Sequence, residues 1–152
     1  MKHVRNLTTI IVFQCLFCLL TTYRCDAQEE LSWDILADVT FETEYFEDTD
    51  SYWLVPEFGD LIKMYDHQDV IIEGYLIPID MENDFYVVSR YPYSSCFFCG
   101  GAGPESIVEI QLTDQNNALH IDERIRVQGE LVLNVSDFEH FNYLIYYARV
   151  LE

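Results

Sequence analysis

Two strand-forming stretches each carry a glycine at the centre, and this limits the folds open to the chain. The first is Val70-Ile71-Ile72-Glu73-Gly74-Tyr75-Leu76-Ile77-Pro78-Ile79, dense in β-branched and apolar residues. The second runs from Arg124 to Leu133, with Gly129 inside it. A glycine within a strand marks a bulge or a sharp bend, and bent strands are what a sheet needs to curl into a small barrel. Phe85 to Arg90, Ser106 to Leu112 and Tyr143 to Leu151 supply three further strands, giving five main strands and no long helix. The expected fold class is all-β: a small, closed or partly open barrel of the oligonucleotide/oligosaccharide-binding (OB-like) type, with a short N-terminal helix. A small sandwich is the alternative.

Residues 66–152 hold these strands, and residues 28–65 read as an N-terminal extension packing on the barrel. Leu31 to Val39 is expected as an amphipathic helix, with Ser32 as its cap and Trp33, Leu36 and Ala37 facing inward. Val39, Phe41, Thr43 and Tyr45 then alternate with polar residues at the period of a half-buried strand. Glu47 to Ser51 is an acidic turn. Trp53 to Pro56 is extended, because Pro56 pushes Val55 out of helical geometry, and Asp60 to Tyr65 suits one helical turn. Polar turns are expected at Glu82-Asn83-Asp84 and from Thr113 to Ala118. Ser136 to His140 reads as a helical turn capped by Ser136.

Residues 1–27 have the form of a secretory signal. Lys2, His3 and Arg5 precede an apolar run from about Thr8 to Leu20, and Cys25-Asp26-Ala27 offers a cleavage site before Gln28. The apolar run is shorter than the roughly 20 residues of a spanning helix. The expected location is therefore exported, periplasmic or extracellular, and soluble after cleavage. Removal of residues 1–27 leaves five basic against 26 acidic residues, a net charge of −21. Such a surface repels nucleic-acid phosphates and anionic headgroups, so nucleic acid and direct anionic-membrane binding are excluded, while cations and an exported or membrane-bound protein partner remain.

Cleavage also removes Cys15, Cys18 and Cys25, so Cys96 and Cys99 are the two remaining thiols. They lie in Cys96-Phe97-Phe98-Cys99-Gly100-Gly101-Ala102-Gly103-Pro104-Glu105-Ser106. C-x-x-C spacing lets one turn present two soft ligands to one ion, and Gly100 can take the left-handed conformation such a knuckle uses. No second C-x-x-C completes a structural zinc site. Further ligands would come from His67, His120, His140 or a carboxylate, with His120 and Glu105 the weaker candidates beside Cys96 and Cys99. Three chemistries stay open: zinc or copper binding, a Cys96–Cys99 disulfide clasp, and thiol–disulfide exchange. The last normally needs the pair at a helix start in an α/β fold, whereas this loop lies between strands. Phe97 and Phe98 either pack the loop onto the core, the favoured role, or shield the sulfurs. Glu105 reads as a solvated carboxylate, the three histidines as ordinary surface residues, and the arginines as partners of nearby carboxylates. No G-x-S-x-G, H-E-x-x-H, phosphate loop or dinucleotide fingerprint occurs. No catalytic residue is therefore assigned.

The motifs Val70-x-Ile72-x-Gly74-Tyr75-x-Ile77-Pro78, the cysteine loop, and Val127-x-Gly129-x-Leu131-x-Leu133-Asn134 resemble a group of uncharacterised exported bacterial proteins, chiefly from Bacteroidetes. They are also distantly similar to a wider bacterial domain of unknown function that carries Cys-x-His followed by prolines. Cys96 matches the shared cysteine, Phe98 stands where that domain has histidine, and Cys99 supplies a thiol nearby. The resemblance implies a loose link to exported transition-metal handling. The C-x-x-C-G geometry and the acidic surface lead to the expectation of an exported, non-enzymatic accessory protein that binds zinc or copper through Cys96 and Cys99.

Overall fold

The computed structural model describes residues 29–80, 85–113 and 119–151. The expected signal segment and the turn at residues 82–84 lie outside the described residues, as does most of the 113–118 loop. Among the described residues eight strands form: β1 (Glu29–Glu30), β2 (Val39–Phe46), β3 (Ser51–Phe58), β4 (Asp69–Asp80), β5 (Phe85–Ser89), β6 (Ile107–Leu112), β7 (Arg124–Leu133) and β8 (Tyr143–Leu151). Two single-turn helices, α1 (Trp33–Leu36) and α2 (Asp60–Lys63), precede β4. Among the described residues no helix is long and apolar enough to cross a membrane.

Strands β4 to β8 close a barrel in the order β4-β5-β6-β8-β7, with β7 returning to pair with β4. Within the barrel the ladders are antiparallel except β6–β8, which is parallel. Closure depends on β4 serving two neighbours. Its first half, Asp69 to Tyr75, pairs with β7, and its second half, from Tyr75, pairs with β5. Gly74 sits at the changeover. A Cβ there would lie 2.5 Å from the Ser89 carbonyl oxygen, 2.6 Å from Val88 Cγ1 and 2.9 Å from the Trp33 ring, so the bend requires glycine.

The barrel interior is filled by alternate residues, including Val70, Ile72, Leu76, Val88, Val108, Ile110, Val127, Leu131 and Ile145. The N-terminal extension contributes Leu31, Leu36, Phe58 and Ile62 to that same core. Tyr143 pins it: the ring packs edge-on against Phe58 and the hydroxyl donates to the Leu36 carbonyl at 2.6 Å. Burial first, then the charges of Glu105 and Asp38, raise the Tyr143 pKa, keeping the hydroxyl a neutral donor. β1 pairs parallel with Val70 and Ile71. β2 and β3 form a separate hairpin across the expected acidic turn.

Three local expectations change. The helix after Ser32 spans only four residues; Ser32 does cap it, accepting from the Ile35 N–H, but Ala37 is exposed. The chain must turn there into β2, and Asp38 instead accepts from the Leu61 and Ile62 N–H groups of α2. Residues 136–140 are a turn without helix, organised by Asn134 rather than Ser136. The Asn134 Oδ1 accepts from the N–H of Ser136 and Asp137, while its Nδ2 donates to the Asp137, His140 and Phe141 carbonyls.

Candidate functional site

The connection from β5 to β6 folds back over the outer face of the barrel as three short 3₁₀ turns: Tyr93–Ser95, Phe97–Cys99 and Pro104–Ser106. Its composition explains this path. Pro92 and Pro104 fix φ at turn entrances, and Gly100 adopts φ +72°, where a side chain is disfavoured. Gly101 is equally constrained, because a Cβ would lie 2.5 Å from the Ser95 carbonyl oxygen. The Cys96 carbonyl receives the N–H of both Cys99 (3.1 Å) and Gly101 (3.2 Å), which closes the knuckle. At its entrance the Tyr93 N–H donates to Asp122 at 2.6 Å, tying the loop to the approach to β7.

This geometry brings the two sulfurs together. Cys96 Sγ and Cys99 Sγ each donate to the Tyr93 carbonyl oxygen at 3.1 Å. Cys96 is fully buried against Ile77, Val87 and Phe141, and Cys99 is exposed; both are free thiols. The Cys99 pKa is raised by burial of the sulfur, then by the neighbouring Cys96, which favours its neutral form. Phe97 is half-buried, whereas Phe98 is exposed and packs edge-on over Phe141. Phe98 therefore covers the outside of the loop rather than filling the core.

The other sequence candidates do not join the sulfurs. Glu105 is half-buried rather than solvated and lies over Gly103, on the side of Tyr143. His120 is exposed in the turn before β7, where its N–H bonds Glu123. Among the described residues, no three His, Cys, Asp or Glu side chains cluster as metal ligands would. Cys96 and Cys99 stand as a two-sulfur site.

Sequence reasoning missed the group beneath this loop. Glu109, on β6, is 2% exposed yet points outward, because its ladder partner Val87 packs under Cys96. Its carboxylate accepts from the Phe141 N–H at 3.1 Å and holds His140 Nδ1 at 2.7 Å. His140 and His67, the latter bonded to Glu130 at 2.8 Å, are thus partnered histidines. The alternation Ile107, Glu109, Gln111 does place Glu109 on the outer face; nothing local in the sequence shows that a distant loop will cover it. Three of the four arginines pair as expected, Arg90 with Asp34, Arg124 with Glu73 and Arg126 with Glu30, whereas Arg149 has no ion pair among the described residues.

Comparison with known proteins yields no matching family model and no matching curated protein. Among solved structures, the chain is similar to a DUF3299 family protein (a domain of unknown function) from Pseudomonas aeruginosa PAO1. The two share 15% sequence identity with a TM-score of 0.51, and the match covers 83% of this chain and 97% of that one. At that identity the likeness is one of fold.

Proposed function

We propose that this is an exported, non-enzymatic accessory protein whose cysteine loop holds a soft transition-metal ion between Cys96 and Cys99. The carrying observation is the convergence of both Sγ atoms on the single Tyr93 carbonyl, one sulfur buried and the other open to solvent. Two thiolates fit copper(I) better than zinc. Zinc sites use three or four protein ligands, whereas two soft sulfurs satisfy the coordination copper(I) accepts. The exposed Cys99 provides a route for an ion to enter or leave, and the acidic surface raises the local concentration of cations. Export follows from residues 1–27. The strand order, with the third and fifth barrel strands parallel, supports the OB-like reading.

The test is anaerobic titration of the reduced mature chain with Cu⁺ against a chromophoric competing chelator, with Zn²⁺ in parallel. One Cu⁺ per chain, lost in Cys99→Ser, supports the reading; no retention of either ion sinks it.

A second reading rests on the same convergence. Two thiols brought onto one carbonyl in an oxidising compartment are placed to join, so Cys96–Cys99 can serve as a disulfide clasp. A mass two protons short in the untreated protein, resistant to mild reductant, favours it. Thiol exchange is the weakest fit, because an attacking cysteine needs a depressed pKa and that of Cys99 is raised.

A further inference from the structure

On a different stretch of the outer wall, where β4, β7 and β8 meet, β8 carries one residue more than its neighbours. Between Ile145 and Ala148 it has two residues where β6 has one, and between Tyr146 and Arg149 it has two where β7 has only Gly129. The bulge crowds β7 so closely that a Cβ at position 129 would lie 2.5 Å from the Tyr146 carbonyl oxygen. Its product is Tyr147, which adopts φ +53° and is 70% exposed. The other described non-glycine residues with positive φ, namely Asp50, His67 and Asp122, belong to types that tolerate this region; a tyrosine there is a genuine outlier. Bulges re-aim side chains, and strain of this kind collects at functional positions.

Tyr147 forms one wall of a cavity of about 360 Å³. The remaining wall is polar: Gln128 Nε2 donates to Asp69 Oδ2 at 2.8 Å, His67 Nδ1 meets Glu130 at 2.8 Å, and Arg149 stands beside them. Arg149 makes no ion pair among the described residues. Each pair leaves donors or acceptors unspent. An aromatic face edged by planar donors and acceptors of both kinds matches a sugar ring, with C–H faces to stack and hydroxyls that both give and take hydrogen bonds. The acidic surface argues against an anionic ligand.

We propose that this groove binds a neutral saccharide, with Tyr147 as the stacking platform and Gln128, Asp69, Glu130 and Arg149 reading hydroxyls. This site is independent of the cysteine loop, and its strain lets function and stability be separated experimentally. The ¹⁵N-labelled mature chain is titrated with cellohexaose, chitohexaose and mannohexaose to about 10 mM, which captures millimolar dissociation constants. Pentalysine serves as the cationic rival for the aromatic face. Saturable amide shifts centred on Tyr147, Gln128 and His67 with at least one hexaose are expected. Tyr147→Phe should retain binding, and Tyr147→Gly should lose at least about fivefold in affinity while its thermal midpoint rises as the left-handed strain is relieved. No shift with any hexaose, shifts centred elsewhere, or a response to pentalysine alone overturns the proposal. So does a Tyr147→Gly variant that binds like the parent.

Discussion

Gly74→Ala is the sharpest test of how the barrel closes. The added methyl would meet a backbone oxygen of β5 at 2.5 Å, a Val88 methyl at 2.6 Å and the Trp33 ring at 2.9 Å. The Ser89 carbonyl cannot swing away, because Ser89 is held opposite Tyr75 in the β4–β5 ladder. Trp33 is likewise fixed, its indole N–H donating to the Glu73 carbonyl at 2.8 Å. Overpacking costs about 1–3 kcal/mol where neighbours can shift; with a fixed carbonyl and a fixed indole we place this case at about 3 kcal/mol or more. A domain of this size has roughly 6–15 kcal/mol to lose, so the variant folds but is measurably weakened. In urea the midpoint should fall by about 1.5–2 M, and the melting temperature by about 10 °C. Gly100→Ala is the internal control. Nothing lies within 4 Å of a Cβ at Gly100, so only its φ of +72° is penalised, at about 1 kcal/mol. The reasoning is refuted if circular-dichroism melts show Gly74→Ala costing no more than Gly100→Ala.

Tyr143→Phe leaves the buried Leu36 carbonyl without its donor and should cost about 1–3 kcal/mol in urea melts. Hydrogen exchange should rise first at α1, which the hydroxyl tethers. Cys99 should react with iodoacetamide in the native protein while Cys96 reacts only after unfolding, as mass mapping can show. Cys99 modification should become appreciable only at higher pH than for an ordinary thiol. His67 makes a small pH-dependent contribution. Its folded pKa is raised, first by the hydrogen bond to Glu130 and then by Asp66, so the contribution is complete below the unfolded histidine value of about 6.5 and fades as pH climbs through the raised folded value. Glu130→Gln should flatten that stretch of the stability–pH curve.

The barrel was legible because its signals are local. Gly74 and Gly129 mark the bends, and the β4 and β7 runs keep a period of two inside the wall. Gly100 in the left-handed region was likewise readable from the knuckle pattern. What escaped depends on distant contacts. Glu109 looks like any outward strand carboxylate until the distant His140–Phe141 turn, downstream of it, closes over it. Ser136 looked like a cap, but Asn134 offers both an acceptor and a donor and so takes over the turn. Ala37 lost its inward place because β2 begins two residues after it. The convergence of the sulfurs was implied by C-x-x-C spacing, but the carbonyl they share belongs to Tyr93, outside the motif. The bulge that lifts Tyr147 slips the inward period of β8 from Ile145 to Ala148, and the apolar run from Tyr143 to Ala148 hides that slip.

The place of β8 between β6 and β7 sets the order in which this molecule can be made. Its ladders to both neighbours mean that no earlier length of nascent chain has a complete wall, so a chain interrupted before Tyr143 has a slot where its last strand belongs. The parallel β6–β8 pairing is non-local, a class of contact that forms late and slowly. Until that strand docks, α1 also lacks its tether to Tyr143. The Phe141 that packs against Cys96 arrives only just before it. Synthesis therefore imposes an interval in which both thiols are open, and any partner or oxidant acting on the buried sulfur has its opportunity then, before the barrel shuts.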